Sequence, residues 1–173
     1  MATTNNVAYG TAVDLTVTAL QSLGSSLTSG WQSARISNMS TKALDYEIGI
    51  KLAPANTLPA SDKVAYVYIS EAHLLQDGST WLHDDVGVTT LPSGSEGAIT
   101  VLSNATGPMS AKLLGTIPYY TQNAPMQRTF KLSTVAGMFI SGGFSIIIVN
   151  FTGAALLSSG NIVSVTAITE TTT

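Results

Sequence analysis

The stretch Leu44-Asp-Tyr-Glu-Ile-Gly-Ile-Lys-Leu52 decides the fold class, because apolar and polar residues alternate along it without a break. In an extended chain, side chains at every second position point to the same face. The apolar residues of this stretch therefore share one face, and the polar residues and glycine between them share the other. A helix would spread the same residues around its whole circumference. The pattern predicts a β-strand with one buried face and one face in water.

Other stretches predict further strands of two kinds. Val13 to Ala19 alternates in the same way and is followed by a loop rich in Gly and Ser, Leu23 to Gly30. Val64 to Ser70 is apolar on both faces, which is typical of a central strand, and the turn dipeptide Asp77-Gly78 follows it. The remaining predicted strands are Trp31 to Ile36, Ala98 to Leu102, Lys112 to Ile117, Gln127 to Leu132, Phe144 to Asn150 and Ile162 to Ile168.

The number of these strands predicts the architecture. Eight or nine short strands separated by Gly, Pro, Asn or Ser, with no long stretch of helical period, indicate an all-β, antiparallel β-sandwich. Two sheets of about four strands each suit a jelly-roll-like arrangement. We expect residues 1–173 to form one such domain. Its polar ends, Ala2 to Asn6 and Thr169 to Thr173, are expected to be short frayed tails.

The composition limits the classes of partner. Hydrophobic residues make up 45% of the chain and charged residues only 10%, against about 25% charged residues in ordinary soluble domains. Seven Lys or Arg residues and a net charge of −3 cannot form the basic surface that nucleic-acid binding requires. A surface with so little charge repels its neighbours weakly and indicates a protein that packs against other molecules. A Ser/Thr-rich secreted or cell-wall protein is the alternative.

Targeting and membrane signals are weak. The chain has no cysteine, so disulfides and thiolate metal sites are excluded. Met1 to Gly10 lacks the basic and apolar regions of a secretory signal. Residues 135–157 carry no charge and are long enough to cross a bilayer. Their glycines and the run Ile146-Ile147-Ile148-Val149 favour strand, turn and strand, so we expect no membrane span.

Candidate chemistry is sparse, and the sequence predicts no enzyme, metal or cofactor. The histidines and their nearest carboxylate pair are spaced unlike any compact metal motif. Ser93-Gly94-Ser95-Glu96-Gly97 resembles a nucleophile turn only in composition, and no phosphate-binding glycine loop occurs. The only candidate metal ligands are His73, His83, Asp84 and Asp85.

The aromatic residues suggest an interface. Trp31 begins a predicted strand and is expected to be buried. Trp81, Tyr119 and Tyr120 lie near predicted loops, and Tyr and Trp are enriched in protein interfaces. We therefore predict that these three residues contact a protein partner. The alternative is a platform on which sugar rings stack.

The chain contains a set of characteristic short segments: Trp31 to Ser33 followed by Asn38, Asp45 to Ile50, Ala65 to Ile69 closed by Asp77-Gly78, Leu114 to Pro118 and Ser145 to Leu156. These segments resemble those of the small jelly-roll virion proteins that decorate or cement the capsids of tailed bacteriophages. They follow one another in a consistent order over residues 31–168. The longer and more polar stretch from Leu74 to Gly97 departs from the pattern.

The resemblance implies a structural role on the exterior of the virion. A protein of this kind binds the major capsid protein on the outer head shell, bridges neighbouring subunits and commonly forms a homotrimer, with no reaction and no cofactor. The polar stretch from Leu74 to Gly97 leaves head, neck and tail fibre open as locations. A carbohydrate-binding or host-attachment module of a head or tail fibre is the alternative function.

Overall fold

The computed structural model describes residues 5–56, 58, 63–83, 94–100, 111–136 and 142–172. These residues form twelve β-strands and one short helix. The strands are β1 Asn5–Tyr9, β2 Val13–Asp14, β3 Ser29–Gln32, β4 Ile36–Ser37, β5 Asp45–Leu52, β6 Val64–Leu74, β7 Trp81–His83, β8 Gly97–Thr100, β9 Lys112–Pro118, β10 Met126–Lys131, β11 Gly143–Phe151 and β12 Ile162–Thr172, and the helix is α1 Leu132–Ala136.

The strands form two antiparallel sheets that pack face to face. The first sheet has the order β1-β12-β5-β10, and β2 pairs with β12 beside β1. The second sheet has the order β7-β6-β11-β3-β8, with β9 on β6 and β4 on β11. Strands β2, β12, β5 and β10 thus face β3, β11, β6 and β9. This order, with the chain crossing repeatedly between the sheets, is that of a jelly roll with two Greek keys.

The predicted fold class is confirmed, although the strands are more numerous than the eight or nine expected. Strand β8 was predicted, at Ala98 to Leu102. The additional strands β1, β4 and β7 have only two to five residues each and lie beside the strands of the jelly roll. Short pairings of this kind have little periodicity of their own. Their positions depend on the neighbouring strand, so the sequence pattern did not indicate them.

Strand β5 has the two faces that its alternation predicted. Tyr46, Ile48, Ile50 and Leu52 are buried between the sheets, and the residues between them are partly exposed. They pack against β11 of the second sheet within one large apolar cluster. The rings of Tyr46 and Phe144 meet edge to face, with their centroids 5.0 Å apart.

Strand β11 is buried on both faces. Phe144, Ile146 and Ile148 face the first sheet, whereas Ile147 and Val149 belong to a second apolar cluster on the outer face of the second sheet. This explains the run of apolar residues without alternation. The described residues contain no helix long and apolar enough to cross a membrane.

The strand predicted at Val13 to Ala19 is wrong beyond Asp14. Leu15, Val17 and Ala19 still pack against the core, but only Leu15 continues the backbone pairing, by donating its N–H to the carbonyl of Val163 at 2.8 Å. Here the chain passes from the first sheet to the second. It therefore covers the side of the core without pairing with a neighbouring strand. From Leu15 onward the alternation predicted the buried face correctly, whereas Val13 is 58% exposed. The predicted strand hydrogen bonding was incorrect.

The expected frayed tails are also wrong over the described residues. β1 pairs with the end of β12, from Asn5 opposite Thr172 to Tyr9 opposite Ile168. The Lys131 ammonium on β10 donates a hydrogen bond of 2.9 Å to the Tyr9 hydroxyl, which raises the pKa of Lys131. Both ends are polar, but pairing satisfies the backbone groups of β1 that face β12, which composition alone could not reveal.

Candidate protein-binding surface

Four connections between strands meet at one end of the sandwich. Their described residues are 15–28, 53–56, 58, 63, 119–125 and 152–161, and the register of the sheets places the ends of their strands side by side. Backbone hydrogen bonds join them: Ser22 N–H to the Leu157 carbonyl, Leu157 N–H to the Ala53 carbonyl, and Tyr119 N–H to the Lys63 carbonyl, at 2.7 to 3.2 Å. The connections therefore form one continuous surface.

This surface carries almost no charge, and we call the described residues of these four connections the charge-poor end. Lys63 is the single charged residue among them. Its ammonium lies 4.4 Å from the centre of the Phe151 ring. The Glu96 carboxylate, partly buried against the Trp31 indole, accepts a hydrogen bond from Ala19 N–H in the first of these connections. The other carboxylates in the described part of the chain lie on a strand or on a connection at the other end. Binding through the charge-poor end would therefore require little desolvation of charged groups.

Apolar side chains stand out from the charge-poor end. Tyr120 is 80% exposed, Leu58 73% and Leu157 47%. Two hollows of about 260 and 250 Å³ lie on either side of Ala124 and Pro125. Large exposed apolar side chains beside hollows are typical of surfaces that bind another protein.

Buried asparagines hold these connections in place. The Asn150 amide donates to the carbonyls of Leu23 and Ala154, at 3.0 and 2.8 Å, and its oxygen accepts from the Thr152 hydroxyl. The Asn161 oxygen accepts from Ala53 N–H at 2.8 Å. A surface ordered before binding loses less conformational entropy when a partner attaches.

The three predicted interface residues do not lie together. Trp81 pairs with Leu74 at one end of β6, whereas Tyr119 follows Pro118, which pairs with Val64 at the other end. The separation along this strand is roughly 33 Å at about 3.3 Å per residue. A single sugar-stacking platform formed by Trp81 and Tyr119 is therefore excluded.

Of these three residues, only Tyr120 belongs to the exposed apolar surface. Tyr119 is 2% exposed and packs in the core between the sheets, so its predicted interface role is corrected. Trp81 is half-buried, with the Arg35 guanidinium 4.1 Å from its ring centre. Trp31 is fully buried, as predicted. Adjacent residues near a strand end point to opposite sides, which separates Tyr119 from Tyr120.

The candidates for metal binding do not converge in the described residues. His73 pairs with Leu82 and His83 with Ala72 across β6 and β7, so the two imidazole rings leave opposite faces of the sheet. No group of three His, Asp or Glu side chains occurs within the described ranges. Asp84 and Asp85 lie outside the described residues.

Glu96, in the segment that resembled a nucleophile turn, has a structural contact instead. Its carboxylate accepts hydrogen bonds from the Trp31 indole at 2.7 Å and from Ala19 N–H at 2.6 Å. It thereby joins β3 to the segment that closes the side of the sandwich. Ser93, the first residue of that turn-like stretch, lies outside the described residues.

A separate depression lies on the outer face of the first sheet. It is centred on Gly49 of β5 and has a volume of about 530 Å³. Lys51, Gln127, Thr129 and Ser164 are among its lining residues. A Cβ atom at Gly49 would lie 2.8 Å from the Ser164 hydroxyl and near no other atom outside its chain neighbours. Glycine here leaves an open polar hollow in the middle of a strand.

The chain was also compared with known proteins. No family model matches it, and the searches of curated proteins and of solved structures found no significant match.

Proposed function

We propose that this protein is a virion structural protein of the capsid decoration, or cement, type. It binds the major capsid protein on the outer head shell through its charge-poor end and bridges neighbouring subunits. The exposed Tyr120, Leu58 and Leu157, on a surface whose described residues include one charged side chain, are the observation that carries the proposal. The role is structural, with no reaction and no cofactor.

Stabilisation of a shell follows from binding to its assembled form. A ligand that binds only the assembled state adds its binding free energy to that state. Tyr120 is the strongest anchor of the surface, because a large aromatic side chain inserted into a partner contributes much of the energy of an interface. The hydrogen-bonded connections around it favour binding without rearrangement.

The test is to place charge on the charge-poor end. In Tyr120→Asp and Leu157→Asp, a carboxylate must be desolvated at the contact, and we expect each substitution to weaken attachment to purified shells at least about 30-fold, corresponding to about 2 kcal/mol. Co-sedimentation of the protein with shells measures attachment. The melting temperature of loaded shells should fall in parallel.

The matched control is Leu82→Asp on β7, because Leu82 is 54% exposed but lies away from the charge-poor end. It should attach like the unchanged protein. Circular dichroism must show the same β-sheet spectrum for all variants. The proposal would be contradicted if Tyr120→Asp and Leu157→Asp attached as strongly as the unchanged protein. It would also be contradicted if the protein left the stability of the shells unchanged.

The depression over Gly49 favours a second candidate, a carbohydrate-binding module for host attachment. Amide and hydroxyl groups of Gln127, Thr129 and Ser164 suit the hydroxyls of a neutral sugar. If this function holds, Gly49→Val should abolish binding to a neutral-glycan array by filling the hollow. Gly24→Ala is the control, since a Cβ at Gly24 meets nothing within 4 Å. An array without any binder would eliminate this candidate.

A further inference from the structure

The first sheet has an open edge at β1. In the described residues, β1 pairs with β12 on one side only. Gly10 N–H donates to the Ala167 carbonyl at 2.8 Å, in line with this pairing. Because successive N–H groups of a strand point to opposite sides, Ala8 N–H also points to β12. The N–H groups of Val7 and Tyr9 therefore point away from the sheet.

Strand β1 lacks the features that usually prevent an edge from pairing with another strand. Its sequence, Asn5-Asn6-Val7-Ala8-Tyr9, contains no charge and no proline. Val7 is 66% exposed and Tyr9 58% exposed. Natural proteins commonly block open edges with lysine, proline or a bulge within the strand. The segment Asn5–Tyr9 has none of these.

The opposite edge of the same sheet is blocked. On β10, the Arg128 guanidinium donates a hydrogen bond of 2.7 Å to the Thr116 carbonyl of β9, in the other sheet. The side chain thus crosses the side of the sandwich at this edge. A strand from another molecule would have to displace Arg128 and approach its charge. Among the described residues, β1 is therefore the accessible edge of the first sheet.

We propose that β1 pairs antiparallel with β1 of a second copy, with Val7 opposite Val7 at the centre. The same strand serves both copies, so the contact is two-fold and closes at a dimer. Each copy has a net charge of −3, but β1 is uncharged, so strand pairing brings no like charges into direct opposition. The pairing does not depend on shell binding.

A dimer formed in this way would have a consequence for the proposed function. The dimer carries two charge-poor ends, one on each copy. If one end is bound to a shell, attachment of the other becomes intramolecular, which strengthens the overall attachment. This step alone rests on the proposed function. The resemblance to decoration proteins implies a homotrimer instead. The mass in solution distinguishes a dimer from a trimer.

The decisive variants are two proline substitutions in adjacent positions. Val7→Pro removes an N–H that points outward, so it should keep the melting temperature and weaken dimerisation at least 100-fold. Ala8→Pro removes an N–H that points to β12 and should lower the melting temperature. Val7→Lys is an independent variant that introduces a charge at the edge. Sedimentation velocity of the full chain over a range of concentrations measures the mass.

Leu157→Asp is the matched control, because it changes the charge-poor end and should leave the dimer intact. A dimer lost in Val7→Pro and Val7→Lys and kept in Leu157→Asp supports strand pairing. A protein that is monomeric or trimeric at every concentration overturns it, as does a dimer unaffected by both Val7 variants. These results leave the shell-binding assay as a separate test of the proposed function.

Discussion

Replacing Phe144 with alanine is expected to lower the free energy of unfolding by about 4 kcal/mol, the largest effect of any change considered. Phe144 lies on β11, has no exposed surface and belongs to the main core cluster. Its ring packs edge to face against Tyr46 of the opposite sheet. The substitution removes this contact and leaves a cavity where the two sheets meet, and neighbouring strands cannot close it without disturbing their ladders.

Urea unfolding followed by fluorescence measures this loss. Phe144→Leu retains most of the volume and should cost less than half as much. Tyr120→Ala is the exposed control, and its effect on stability should stay within about 0.5 kcal/mol. A loss below about 1 kcal/mol for Phe144→Ala would show that the two sheets do not pack as described.

Asn150→Ala is expected to be the second largest change, with a loss of about 3 kcal/mol. The side chain is fully buried, at the end of β11. Its amide and oxygen satisfy the carbonyls of Leu23 and Ala154 and the backbone and hydroxyl of Thr152. Alanine leaves several of these groups buried without a partner, and each unsatisfied group costs about 1 to 3 kcal/mol.

The loss at Asn150 should appear locally as well as globally. Amide hydrogen exchange should accelerate in residues 23–28 and 152–157, because these segments lose their common anchor. Asn56→Ala is the control, since Asn56 lies in a neighbouring connection with an exposed side chain. If Asn150→Ala unfolds at the same urea concentration as the unchanged protein, the hydrogen-bonded anchor does not exist.

The burial of asparagines also bears on two matches to the N-glycosylation pattern. Asn38 and Asn150 are the asparagines of two such matches, and they are only 5% and 0% exposed. The Asn38 side chain bonds the backbone of Ala43 and the Tyr46 hydroxyl. A glycan on either amide is incompatible with these contacts. The third match, at Asn104, lies outside the described residues.

Much of the fold could be predicted because strand periodicity is a local property. The alternation from Tyr46 to Leu52 and the apolar run in Phe144 to Asn150 each reported burial correctly, on one face and on both faces. Leu44, just before the strand begins, is 41% exposed, contrary to the prediction. Prediction failed where pairing depends on distant residues. Val13 to Ala19 keeps its alternation but leaves the ladder, and the polar ends become paired strands.

The candidate surface was only partly predictable for the same reason. Tyr119 and Tyr120 are adjacent and chemically alike, yet one lies in the core and the other is the most exposed aromatic residue described. The scarcity of charge was evident from composition. The position of the charge-poor end was not evident, because the described residues of its four connections are brought together only by the crossing of strands between the sheets.

The amino-acid sequence by itself determined that this chain forms strands, which faces of β5 and β11 are buried, and that its surface has few charges. These properties depend on the spacing of apolar side chains and on composition, which are local or additive. Only the tertiary structure decided which ends meet, which tyrosine is exposed, which edge stays open and where the asparagines find their partners. Each of those depends on contacts between residues far apart in the chain, and such contacts exist only once the two sheets have closed on each other.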